Sequence, residues 1–217
     1  MNTGQSKKIA RRAKEREGRR AEILSAAREV FFAKGFMNAT VGEIASASSL
    51  AKGTLYLYFK SKEEMYCALT DEGMALLQRD LMESLDRPLR PDRSLAALVK
   101  AYHGFYQGHP EYFRMMFLTI QPDVRSKVPQ ETLEASVGKA RECLGAVADI
   151  FRKGVETGLF KKNVDPWSAA NTIWAMINGV IMAYEDPIYR DEIASVSLES
   201  ALDGCLRMAL NGVMAVR

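Results

Sequence analysis

Apolar residues recur at helical spacing along almost the whole chain. Ile23, Ala27, Val30 and Phe31 follow one another at i, i+4, i+7 and i+8, which predicts a helix ending at Gly35. Thr40-Val41-Gly42-Glu43 reads as a capping box. The threonine hydroxyl and the glutamate carboxylate satisfy N–H groups that the first turn of a new helix leaves bare. That helix is short, because the polar cluster Ser46 to Ser49 follows at once. A third helix is predicted over Lys52 to Phe59, with Leu55 and Phe59 one turn apart and facing inward. Ser61-Lys62-Glu63-Glu64 is a second capping box, opening a longer helix through Met65, Leu69, Leu76 and Leu77.

Pro88 and Pro91 close that helix, and further helices are predicted over about 92–108, 110–120, 130–158, 166–185 and 197–215. Pro110, Pro129 and Pro166 fall at or beside predicted starts, where a missing N–H costs nothing. Gln121 to Pro129 is polar, contains two prolines and is expected to be a loop. No strand pattern competes. The expected fold is all-α: an N-terminal three-helix domain carrying a helix-turn-helix, followed by a larger helical bundle.

Charge changes the picture more than composition does. The formal net charge of +3 hides an uneven distribution. Residues 1–62 hold 13 Lys/Arg against 5 Asp/Glu, and the rest of the chain holds 17 against 22. A basic first quarter on an acidic remainder points to a polyanionic partner for that quarter. With 47% hydrophobic residues over 217 positions the chain can bury a full core, which excludes general disorder. Its longest apolar run, Ile173 to Tyr184, has 12 residues, short of the roughly 20 that span a bilayer. No apolar segment follows the basic N-terminus, so no secretory signal is read there. A cytoplasmic, nucleoid-associated protein with no membrane partner is expected. Cys67, Cys143 and Cys205 are far apart and read as small core residues. His103 and His109 are the two histidines, and no metal-ligand spacing forms, so neither a metal nor a cofactor is expected. No paired carboxylates or nucleophile–base arrangement stands out, and an enzyme is not expected.

Two short helices joined by a tight turn on a basic face describe a helix-turn-helix, whose second helix enters the major groove. That helix presents Lys52, Gly53, Thr54, Tyr56, Leu57 and Tyr58. Lysine neutralises phosphates and tyrosine hydroxyls hydrogen-bond them, fixing register without reading sequence. Gly53 permits close backbone approach, Thr54 can meet a base edge, and Leu57 can touch a thymine methyl. Lys62 sits in the first turn of the next helix, where the helix N-terminus already favours a phosphate.

These residues resemble a known family. Residues 17–77 are similar to the DNA-binding domain of the TetR (tetracycline repressor) family. The match rests on Ile23-Leu24, Ala26-Ala27, Phe31, Gly35-Phe36, Thr40, Glu43-Ile44-Ala45, Lys52-Gly53-Thr54-Leu55-Tyr56, Tyr58-Phe59 and Ser61-Lys62-Glu63-Glu64. The resemblance implies DNA contacts from Thr40, Lys52, Gly53, Tyr56, Tyr58 and Lys62. It also implies a homodimer on a palindromic double-stranded operator, with a C-terminal domain whose small-molecule effector lowers operator affinity. Two positions depart from the family pattern: Ser49 stands where the turn usually has Gly, and Ala51 where a hydroxyl often caps the reading helix. The resulting domains are a basic arm at 1–16, a DNA-binding domain at 17–77 with its helix-turn-helix at about 40–59, and a ligand-binding and dimerisation domain at 78–217. The arm, basic from Lys7 to Arg20, is expected to track phosphates or enter the minor groove.

In the C-terminal domain, Tyr102, Phe105, Tyr106, Phe113, Met116 and Phe117, with Trp174 and Asn178, are candidates for an apolar pocket with a few polar anchors. Ala175, Gly179 and Ala183 recur every four residues and admit close approach of another helix, while Leu198, Leu202, Cys205 and Ala209 form a second stripe. Either row can also bury inside one chain; the family resemblance implies a four-helix dimer interface. The expected function is a ligand-responsive repressor. The alternative is a helical ligand-binding or interaction protein silent toward DNA, against which Lys52, Tyr56, Tyr58, Lys62 and the basic first quarter argue.

Overall fold

A computed structural model describes residues 3–117 and 130–215. The described elements are helices apart from one isolated bridge, Phe160 to Met214. They fall into two compact units, Met1–Glu72 with Arg114–Ala135, and Gly73–Phe113 with Ser136–Arg217.

In the first unit α1 runs Thr3–Asn38, α2 Val41–Ala47 and α3 Lys52–Leu55, and α4 (Lys62–Glu83) contributes its first half. The helix stop expected at Gly35 is present as a break inside α1, where Gly35 takes φ 71° and ψ 165°. Such a φ suits glycine because it has no Cβ to clash. Beyond the break Phe36 and Ala39 return to the core, joining Ile23, Ala27, Phe31, Ile44, Leu55, Phe59, Met65, Tyr66 and Leu69. Phe31, Phe36 and Tyr66 meet as a ring triangle with centroids 4.8 to 5.9 Å apart. The Tyr66 hydroxyl donates to Met115 O at 2.7 Å, and Met115 is itself buried in this core. Part of α6 (Pro110–Phe117) therefore belongs to the first unit, an attachment the sequence pattern did not predict.

The capping box at Thr40 is complete. Thr40 Oγ1 accepts from Glu43 N at 3.2 Å, and Thr40 N donates to Glu43 Oε2 at 2.9 Å. The second box is shifted by one residue: Ser61 Oγ accepts from Glu64 N at 3.1 Å, but Glu64 reaches Lys60 N, at 2.6 Å. In the turn, Ser49 takes φ 56°, the left-handed region where a Cβ costs on the order of 1 kcal/mol. Ala51 caps α3 with no side-chain hydrogen bond, and Ser48 does not replace it, because its hydroxyl donates to Ile44 O and Ala45 O behind it. The reading helix is correspondingly shorter than the predicted Lys52 to Phe59. It continues as hydrogen-bonded turns through Tyr58 N to Leu55 O and Phe59 N to Leu55 O.

In the second unit α5 (Pro91–Gly108), α7 (Gln130–Glu156), α8 (Pro166–Glu185) and α9 (Leu198–Val213) match the predicted spans closely. The predicted end of the helix at 118–120 and the loop Gln121 to Pro129 lie outside the described residues. α9 packs against α8 and α5. Asp165 and Ser197 cap α8 and α9, accepting from Ser168 N and Ser200 N. Phe160 folds back onto α7 at Gly154, where a Cβ would stand 2.0 Å from the ring, so only glycine fits there. A π-helical turn, Tyr189–Ile193, links α8 to α9 and had no counterpart in the sequence reading.

Three outcomes follow from these local forces. Ser49→Gly relieves a left-handed serine, so thermal melts should show stability unchanged or raised by up to about 1 kcal/mol, or roughly 2–4 °C. The Glu43 carboxylate is held down to about 2, first by the Lys34 ammonium and then by the Thr40 N–H and hydroxyl. A depressed carboxylate stabilises the fold above its ordinary value of 4.5 and loses that contribution as pH falls toward 2. Melting temperatures of the native chain and Glu43→Gln should therefore differ at neutral pH and converge across that window. Lys62 Nζ donates to Phe36 O at 2.7 Å and Ala39 O at 2.9 Å and lies 4.2 Å over the Phe36 ring. Lys62→Met should cost about 1–3 kcal/mol in denaturant unfolding, because it strands two carbonyls at the α1–α2 junction.

Candidate nucleic-acid interface

The reading segment is held from behind and bare in front. Leu55 and Phe59 are buried at 0% and 1% exposure, which stabilises each by about 1.5–3 kcal/mol. Between them Tyr56 and Leu57 stand 52% and 72% exposed. Lys52 and Gly53 are exposed as well, with nothing near Gly53 that a close-approaching backbone would displace. Lys52 is directed by its stem: its Cε lies over Gly42, 2.8 Å from where a Cβ would sit. Any larger residue at 42 would push the ammonium aside. Arg20 covers the Phe59 ring at 4.6 Å and ties α1 to the rear of the same segment.

The eight residues singled out from the sequence separate into distinct groups. Lys52, Gly53, Tyr56 and Leu57 form one exposed surface. Thr54 and Tyr58 are half-buried, Tyr58 leaning on the core. Thr40 is exposed at the start of α2, but its hydroxyl both accepts from Glu43 N and donates to the Glu43 carboxylate. Lys62, expected at the DNA backbone, is turned inward instead and spends two of its three N–H donors on Phe36 O and Ala39 O. Its companion carbonyls come from the chain bend that Gly35 creates. Only the folded chain brings residue 62 beside residues 36 and 39, so spacing gave no hint of that role.

The candidate pocket residues divide likewise. Tyr102, Phe105 and Phe113 are buried in the second unit, with the Tyr102 and Tyr106 rings edge-on to Phe113. Tyr102 donates to Asn178 Oδ1 at 2.7 Å, and Asn178 Nδ2 donates to Trp174 O at 3.1 Å, so the buried amide is satisfied. Burial pushes the Tyr102 phenol well above its ordinary range, so it stays a neutral donor. Tyr106 donates to Glu185 Oε1 at 2.6 Å, a partner the sequence reading missed. Trp174 departs from the expectation: the residue is 45% exposed rather than lining an interior. Met116 and Phe117 belong to the first unit and the other six candidates to the second.

The association stripes also need correction. Ala175 and Gly179 are exposed and Ala183 and Leu198 half-buried, but Leu202 and Cys205 are core residues of the chain itself, at 2% and 5% exposure. Ala209 lines an open groove of about 480 Å³, with Phe151, Val164, Met176, Met208 and Val213. The groove was not foreseen, although the absence of any charge between Pro166 and Tyr184 signals an unusual helix surface. Burial pushes the Cys67 and Cys143 thiols up to about 11, so neither is a thiolate at neutral pH. Among the described residues no cluster of His, Cys, Asp and Glu is placed to hold a metal. None of the described helices is long and apolar enough to cross a membrane.

Known proteins place this geometry. Residues 23–69 match the model for bacterial regulatory proteins of the tetR family, and residues 95–186 match that of the tetracyclin repressor-like C-terminal domain. The chain is 28% identical to the HTH-type transcriptional activator FasR of Mycolicibacterium smegmatis, over 64% of this chain and 61% of the activator. It is 24% identical to the fatty acid metabolism regulator protein of Bacillus subtilis, over 79% and 86% of the two chains. The crystal structure of the transcriptional regulator FadR from Bacillus subtilis in complex with stearoyl-CoA superposes with a TM-score of 0.70 at 21% identity, covering 88% of this chain and 98% of that one. Both halves of the molecule carry the same assignment: the chain belongs to the TetR family of transcriptional regulators.

Proposed function

We propose that this regulator is a homodimeric repressor that grips a palindromic operator through Lys52, Gly53, Thr54, Tyr56, Leu57 and Tyr58 and is released by a small molecule that carries a long apolar chain. The observation that carries the reading is the Tyr56–Leu57 pair, 52% and 72% exposed on a segment whose other face is locked in the core. A large apolar side chain with no cover, beside an exposed lysine, fits contact with thymine methyls and phosphates. Dimerisation is supported by α8, whose outer surface carries Trp167, Trp174, Ala175, Gly179 and Met182 and no charge. Two reading segments about 34–36 Å apart would then meet successive major grooves.

For the effector, the relatives named for fatty acid metabolism and for a stearoyl-CoA complex support an acyl thioester. The second unit supplies buried aromatic rings and the neutral Tyr102–Asn178 pair to receive a long apolar chain.

The test is genome-fragment binding and footprinting with the purified protein at two salt concentrations, then titration with long-chain acyl-CoA. A symmetric footprint that weakens on titration is expected. Lys52→Ala with Tyr56→Ala should weaken specific binding by on the order of 100-fold while leaving the dimer mass unchanged, each lost contact being worth about 1.4 kcal/mol. A footprint of native strength in that double variant would remove the reading segment from the mechanism.

A further inference from the structure

The basic N-terminal segment is not an extended arm. From Thr3 it is the leading part of α1, and every residue from Ser6 to Arg19 is exposed. The first buried residue is Ile23, so the bare helix projects about 30 Å ahead of the core at 1.5 Å per residue. Between Lys7 and Arg20 it carries eight cations against Glu15 and Glu17. Ile9, its one large apolar residue, is 63% exposed.

Two features make this surface incomplete as it stands. Lys7 and Arg11, Lys8 and Arg12, Arg12 and Arg16, and Arg16 and Arg20 are like charges one turn apart, which repel and weaken a helix. Among the described residues two ion pairs offset them, Arg11–Glu15 at 3.4 Å and Arg19–Glu22 at 2.6 Å, both exposed. An exposed helix of this length without a packed face is marginal in water, so a ligand that neutralises the repulsion stabilises it. The ligand is a polyanion: a helix with no apolar face cannot seat itself in a membrane interface.

The site of departure identifies which polyanion. Arg20 stacks on Phe59, the residue that anchors the rear of the reading segment, so the basic helix leaves the core beside the surface already assigned to DNA. Its shape also settles how it meets the duplex. An α-helix with side chains is about 10–12 Å across, too wide for a minor groove about 6 Å wide. We infer that residues 3–20 form a helical bar that lies along the phosphate backbone flanking the operator and adds sequence-independent affinity. The bar neutralises phosphates spaced about 1.7 Å apart along the axis, and it reads no bases.

This inference rests on the DNA-regulator reading, and its test is chosen to fail separately from it. The assay is binding to a duplex of arbitrary sequence over a range of salt concentrations, so no operator is needed. In one variant Lys7, Lys8, Arg11, Arg12, Lys14 and Arg16 are all replaced by Gln, which keeps helix propensity and touches no buried residue. Circular dichroism and melting temperature confirm that the variant folds. The slope of log affinity against log salt should flatten by about 0.9 for each phosphate lost, roughly two units or more per protomer. Tyr56→Ala, which removes no charge, should keep the native slope. A drop of less than about one unit in the folded glutamine variant overturns the inference. A flattened slope alongside an operator footprint that survives Lys52→Ala with Tyr56→Ala would keep the bar and discard the reading segment.

Discussion

Burial of Leu55 and Phe59 is the constraint on which the function depends. A four-residue helix with a further hydrogen-bonded turn has almost no stability of its own, since nucleation costs more than one turn returns. Its shape is imposed from behind by these two side chains, in the same core as Ile23, Phe31, Ile44 and Tyr66. The front face is then free to be shaped by its partner alone, and it carries Lys52, Tyr56 and Leu57 uncovered. Lys62 secures the same frame by a different means. Its ammonium gathers two carbonyls beside the Gly35 break and the face of Phe36, so α4 fixes the approach of α1 to α2.

Polar groups in the two units are handled in contrasting ways. Around the reading segment the side-chain donors and acceptors serve turns and caps: Thr40 with Glu43, Ser48 with the end of α2, Ser61 with Glu64. In the second unit polar side chains pair between helices across a wide sequence separation, Tyr102 with Asn178 in the core and Tyr106 with Glu185 where both are half-buried. Exposed apolar residues on α8 complete the contrast. They sit on a helix that carries no charge before its last residue, Glu185, a surface that water covers poorly and a second helix covers well.

Much of the fold was legible in advance because helices announce themselves locally. Proline at helix starts, capping boxes at Thr40 and Ser61, and apolar spacing placed α5, α8 and α9 within a residue or two of their observed bounds. Ser49 stands out in the sequence because the family resemblance puts Gly at that turn position, and it has φ 56°. Side-chain partners were not legible, because they depend on which helices meet. Leu202 and Cys205 have the spacing of an association stripe, and equally that of a core face; packing of α9 on α8 and α5 put them inside. Trp174 is the converse case, an aromatic residue whose position on α8 leaves it outside.

Sequence by itself determined the all-α class, the helix-turn-helix and the basic first quarter, since each follows from local spacing or from charge counted along the chain, and residues 17–77 carried the resemblance to the family. Tertiary structure decided what the charged and polar groups do. It turned Lys62 inward, kept Lys52 outward over Gly42, moved Met115 into the first core, and made a projecting helix of the basic segment. The physical reason is common to the first three: a side chain's role is set by the desolvation and hydrogen-bonding opportunities around it. Those opportunities come from residues distant in sequence.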